Sequence, residues 1–345
     1  MIVLGQVVGF VVLVSLMLYA LGGGADFGAG VWNLFASGPR AQQQRELITD
    51  AIGPIWEANH VWLVLVVVLL FLAFPPAFAA IGIALHIPLA AMLVGIVLRG
   101  SAFVFRNYDT AQATRRRWNR LFSIGSVLAP LMLGVCVGAL ASGTLRVDLD
   151  TGRVQTDFLS QWLQPFPFAI GLWTLALFAF LAAVYLTNET NDPALQEDFR
   201  WRALISGGVV AVMALASFIL SENGAPLIRA GLAKAWWSIP FHVWTGAVSV
   251  AAMVAVWLRK YRLARPLAML QIVLILSGWG FAQFPYLVQP DFTFANAAAP
   301  DSVLRILLGA LALGALLLFP SLALLFRVFK LSRSYDNSVD TNSTD

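Results

Sequence analysis

Long apolar runs constrain this chain more than any other feature. Crossing the hydrocarbon core of a bilayer takes about 20 apolar residues in a helix. Nine stretches meet that requirement: residues 2–23, 54–74, 77–98, 121–142, 165–187, 203–220, 239–258, 266–286 and 303–326. Phe74-Pro75-Pro76 makes the shortest break, where two prolines split one apolar stretch into two helices joined by a tight turn. With 59% hydrophobic and only 12% charged residues, the 345-residue chain cannot present the polar surface that a water-soluble fold of this size needs. The expected fold class is therefore an all-α integral membrane protein with about nine transmembrane helices spread over 1–331. The polar segment 332–345, rich in Ser, Asn, Asp and Thr, is expected to form a disordered cytoplasmic tail. Residues 1–21 lack a basic leader and a cleavage motif, so they read as a retained first span.

The cations set the orientation. Arg40 and Arg45 follow span one, and Arg99, Arg106, Arg115, Arg116, Arg117 and Arg120 follow span three. Arg259, Lys260, Arg262 and Arg265 follow span seven, while Arg327, Lys330 and Arg333 follow span nine. Strict alternation brings all four groups to one side, which the positive-inside rule makes cytoplasmic, leaving the N-terminus outside. The acid-rich 188–202 on the inner side and Arg229 and Lys234 on the outer side depart slightly from that pattern. A net charge of +4 concentrated in short connections is a topology signal, and no nucleic-acid partner is expected. The chain has one cysteine, Cys136, so it has neither an internal disulfide nor a cysteine metal motif.

Ionisable groups in or beside the spans are few, and each is a functional candidate. Asp26 ends span one within Gly24-Ala-Asp-Phe-Gly-Ala-Gly30, Glu57 opens span two within Trp56-Glu-Ala-Asn-His60, and Arg99 closes span three. All three are expected at the same inner boundary. A carboxylate held between desolvation and a guanidinium can take up a proton and pass it on. Interfacial anchoring or a structural ion pair is the plainer alternative, and Asp26 in particular would then only end a helix. His60 shares the helical face of Glu57 and could relay a proton or hydrogen-bond the carboxyl group. Gly24 and Gly28 make a small-xxx-small packing surface, as do Gly134 and Gly138. His86, expected mid-span, and His242, expected nearer the outer face, fit a shared bis-histidine haem poorly. No Walker A, GxSxG or HExxH motif supports nucleotide-driven or hydrolytic chemistry.

Four segments carry a family resemblance: 24–30, Ile52-Gly-Pro-Ile-Trp-Glu-Ala-Asn-His-Val-Trp-Leu63, the Arg99 end of span three, and Trp279-Gly-Phe-Ala-Gln-Phe-Pro285 with 297–300. In these the chain resembles subunit II of cytochrome bd quinol oxidases over nearly its whole length. The resemblance implies two four-helix bundles plus one peripheral helix in the bacterial inner membrane. It also implies a heterodimer with a subunit I that holds two haem b and one haem d and oxidises quinol on the outer side. This chain would bind no cofactor or metal and would have no catalytic residue of its own. It would stabilise subunit I and contribute Glu57, with Asp26 and Arg99 as neighbours, to a cytoplasmic proton path for reducing dioxygen to water, without pumping. Trp56, Asn59, Trp62, Gly24, Gly28, Trp279, Gln283 and Pro285 are the motif and packing positions. Membrane lipid, quinol or quinone, and a small single-span accessory subunit are the further expected partners. Some relatives place a second acidic residue just before Asp26, where this chain has Gly22 and Gly23. A secondary transporter using Asp26, Glu57 and Arg99 for ion coupling is the competing class, although its charges would normally lie nearer the midplane.

Overall fold

The computed structural model describes residues 4–53, 56–108, 112–149, 151–155 and 157–342, with side chains described up to 324 except at 107–113. The side chains of the expected polar tail lie outside that range. Nine described helices are long and apolar enough to cross a membrane. They are α1 (Leu4–Leu34), α3 (Trp56–Ala73), α5 (His86–Tyr108), α6 (Gln112–Ser142), α7 (Pro165–Leu186), α8 (Pro193–Gly224), α10 (Ser238–Trp257), α11 (Tyr261–Gln283) and α12 (Asp301–Asn342). Three short helices, α2 (Ala41–Ile52), α4 (Pro75–Ala84) and α9 (Pro226–Lys234), lie between them. Two small hairpins, β1 (Arg146–Val147) with β2 (Val154–Gln155) and β3 (Tyr286–Val288) with β4 (Phe292–Thr293), complete the chain.

Three boundaries differ from the sequence reading, and each difference moves a candidate residue. Helix α1 does not stop at Gly23 but continues through its glycines to Leu34, so Asp26 lies inside a helix and does not end one. Glycine normally costs a helix interior about 1 kcal/mol. Here it permits contact: a Cβ on Gly28 would collide with the Phe178 carbonyl and Ala182 of α7. The apolar run 77–98 is not one span. Pro75 and Pro76 start α4, the chain breaks at Leu85, and α5 begins at His86. Pro88 explains the break, because it has no N–H to offer the Ala84 carbonyl and its ring crowds the preceding turn. His86 therefore sits at a helix N-terminus instead of mid-span. Arg99, expected to close its span, is enclosed within α5, which continues to Tyr108. The connections 188–202 and 221–238 likewise contain the start of α8 and all of α9.

Helix α1 packs against α3, α6, α7 and α11. At one end, Val8 joins Leu145, Val147, Trp162, Val288, Phe292 and Ala297 of the hairpin region in one apolar cluster. Asp291 ties the two hairpins together, accepting from Arg146 Nε at 3.1 Å and Val147 N at 2.7 Å. At the other end, Ile48 and Ile52 of α2 pack with Ala29, Phe103, Phe122, Leu186 and Phe199. This second end carries the basic connections. Arg40 and Gln44 both donate to Asp198 there, and Arg202 donates to Gln44, which fastens α2 to α8. The Asp198 carboxylate raises the Arg40 guanidinium above its ordinary pKa. Helix α12 lies outermost and buries almost none of its apolar stretch, Leu304 excepted.

Candidate functional site

Four helices converge on a polar cluster toward the basic end. Asp26 and Tyr19 are two turns apart on α1 and so share a face. The first turns of α3 supply Trp56, Asn59 and His60, α5 supplies Arg99, and α6 supplies Phe122. Asp26 is 3% exposed and Arg99 0%. Asn59 Nδ2 donates to Asp26 Oδ2 at 2.6 Å. Gly22 makes room for that bond, since a Cβ there would stand 2.5 Å from Asn59 Oδ1.

Arg99 is held in an unusual way. None of its three guanidinium nitrogens has a hydrogen-bond partner among the described residues. Its charge lies instead against three rings, with the guanidinium carbon 5.1 Å from the Phe27 centroid, 5.6 Å from Phe122 and 5.7 Å from Trp56. Such contacts give about 0.5–2 kcal/mol each, toward the upper figure when desolvated. Asp26 supplies the opposing charge through space, without a direct ion pair. His60 stands beside them, its ring 5.8 Å from Phe27, 6.0 Å from Tyr19 and 6.4 Å from Trp56. Its buried Nδ1 is unpartnered among the described residues. The cluster thus holds one carboxyl group, one fixed cation and one imidazole with a free ring nitrogen, in a setting where each charge is felt strongly.

Asp26, Arg99, His60, Trp56 and Asn59 come together as candidates, but Glu57 does not join them. It is exposed, on the outward stripe of α3 with Val61, Val64, Val68 and Phe71. Trp62 packs near Phe319 of α12, their centroids 6.3 Å apart. A cavity of about 490 Å³ beside the cluster is lined by Gly22, Asp26, Asn59 and Trp62, among others. Gly24 and Gly28 lie against Phe178 and serve packing. Trp279 and Gln283 belong to the opposite, hairpin end of α11, and Pro285 lies just beyond it. The Trp279 indole N–H and both amide atoms of buried Gln283 have no partner among the described residues, and Pro285 follows a cis peptide bond. Tyr19 escaped the sequence reading because a tyrosine in an apolar run looks like ordinary core. Its position two turns before Asp26 was the available signal.

The residues do not fit a haem. His86 Nδ1 contacts the Ile83 carbonyl and His242 Nδ1 the Ser238 carbonyl, on helices that bring the two rings to no common cavity. His60 is partly buried and flanked by its three aromatic neighbours. No group of three potential metal ligands occurs among the described residues.

The architecture and site define a polytopic helical membrane protein with a buried charge cluster near one boundary. Residues 4–329 match the family model described as cytochrome bd terminal oxidase subunit II. The chain belongs to that family and is thus a subunit of a respiratory oxidoreductase complex of the inner membrane. A putative cytochrome bd menaquinol oxidase subunit II of Bacillus subtilis is 26% identical over 92% of this chain and 93% of its own length. Subunit 2 of the Escherichia coli cytochrome bd-I ubiquinol oxidase is 25% identical over 83% of this chain and 81% of its own. The fold is shared with the bd oxidase structure from Geobacillus thermodenitrificans, with a TM-score of 0.78 at 22% identity over 94% of this chain and 98% of that one.

Proposed function

We propose that this chain is the haem-free subunit II of a bd-type quinol oxidase, stabilising a haem-bearing subunit I and supplying part of its cytoplasmic proton entry. The observation that carries the reading is the buried Asp26 carboxyl group, hydrogen-bonded by Asn59 and beside Arg99 and His60, whose guanidinium and Nδ1 have no hydrogen-bond partner among the described residues. A fixed buried cation stabilises an incoming negative charge on Asp26, and an imidazole with a free ring nitrogen offers the next stop for a proton. The two haem b and one haem d belong to subunit I, as does quinol oxidation. The poor fit of His86 and His242 to a shared haem favours that division.

Glu57 has a separate place in this reading. A carboxylate on the outward face of a membrane helix is costly in lipid, so the α3 stripe running from Glu57 to Phe71 is the face subunit I covers. Glu57 then transfers protons across the subunit boundary, and the chain has no activity alone. The N-terminus and the hairpins lie outside, while α2 and the polar tail from 332 are cytoplasmic, following the four basic connections. Quinol releases protons outside and dioxygen reduction consumes protons from inside, which generates voltage without a pump. Glu57→Gln in the purified complex tests this: turnover falls while the haem spectrum is unchanged. Undiminished turnover overturns the role of Glu57, and loss of haem makes it an assembly residue.

A further inference from the structure

The cavity beside Asp26 extends to charged groups that lie outside the cluster already described. It runs between α1, α2, α3, α7, α11 and α12, with Asp26, Asn59, Glu189 and Arg265 all lining it. Glu189 follows the C-terminal end of α7, and Arg265 is in the first turns of α11. Arg265 Nη1 stands 3.6 Å from Glu189 Oε1, and these side chains are 34% and 26% exposed respectively. The Arg265 guanidinium also lies 4.6 Å from the Tyr185 centroid, which fixes it over the end of α7. We propose that this cavity is the aqueous entry to Asp26 and that the Glu189–Arg265 pair forms its mouth, where protons are collected. The inference rests on Asp26 as a proton carrier, and it adds a route that Glu57, absent from the cavity wall, does not share.

Size, wall chemistry and the rim support the route. A water needs only about 10–15 Å³ of probe-sized space and two or more polar partners. The cavity is far roomier at about 490 Å³, and Asp26, Asn59, Glu189 and Arg265 give it polar lining groups. The rest of the lining is largely apolar, including Ala29, Ala182 and Leu186, so it confines water without competing for the proton. The rim pair is partly exposed and its contact is long, a geometry that holds two charges only weakly together.

The test uses the intact two-subunit complex in membrane vesicles, with Cys136→Ala as background. Ala25→Cys is exposed to a charged, membrane-impermeant methanethiosulfonate from each side in turn, and turnover per haem is measured for Ala25→Phe, Ala58→Leu, Glu189→Gln and Asp26→Asn. The proposal expects modification from the inner side only. It expects Ala25→Phe on α1 and Ala58→Leu on α3 to lower turnover on the order of tenfold at unchanged haem content, with a smaller loss for Glu189→Gln. Full rates in the wall and rim variants beside a slow Asp26→Asn overturn the cavity route but leave Asp26 a carrier. Inner-side labelling with a fully active Asp26→Asn overturns the carrier reading, and the inference falls with it. No modification at position 25, or modification from the outer side, contradicts the cavity directly.

Discussion

Asn59 on α3 donates a 2.6 Å hydrogen bond to the carboxyl group of Asp26 on α1, joining two membrane helices through a buried polar contact. Losing the donor strands a buried carboxyl group, which costs about 1–3 kcal/mol. Asn59→Leu should therefore lower both the thermal stability of the complex and its turnover. A calorimetric scan with a parallel oxygen-consumption assay checks this, and a variant that is normal in both would show that the bond does nothing for Asp26.

Gly22 should reproduce that defect without touching Asn59. Its missing side chain leaves space for the Asn59 amide, which a Cβ would meet at 2.5 Å. Gly22→Ala must displace the amide, and the double variant Gly22→Ala/Asn59→Leu should be little worse than either single one, because both remove the same contact. Fully additive losses in a double-mutant cycle would place the effect of Gly22 elsewhere.

Gly28 has a different sensitivity, because a Cβ there meets backbone in the form of the Phe178 carbonyl. Gly28→Val should force α1 and α7 apart at a cost of about 1–3 kcal/mol or more, seen as poor yield of assembled complex. Gly208→Ala is the control: nothing lies within 4 Å of a Cβ there, and yield should not change.

Arg99 is stacked against rings and makes no hydrogen bond with the described residues, so its flat guanidinium matters as much as its charge. A lysine keeps the charge but presents a compact ammonium that cannot stack. Both Arg99→Lys and Arg99→Gln should lower turnover per haem. Wild-type turnover in the lysine variant would mean that charge alone suffices.

Much of this was legible in the residues. The nine apolar runs are long enough to be unmistakable, and Asp26, His60 and Arg99 stand out because ionisable groups are scarce in such runs. The helix ends were less legible. Pro88 splits 77–98 at Leu85, yet one proline three residues into a new helix looks like a tolerated kink. The glycines around Asp26 look like a terminus, whereas tight packing on α7 keeps them helical. The direction of Glu57 was hidden as well. It is three residues from His60, yet His60 faces Tyr19 and Phe27 while Glu57 faces outward, a distinction set by tertiary packing. Glu189 and Arg265 looked like loop charges because only the folded chain brings them to the same cavity as Asp26.

The most direct measurement is the voltage generated when an oxygen pulse reaches the reduced complex in proteoliposomes, compared between the natural chain and Asp26→Asn. With Asp26 carrying protons from the inner side, the variant should slow that signal on the order of 10²-fold with its haem spectrum unchanged. An Asp26→Asn complex that charges the membrane at the natural rate would contradict the account.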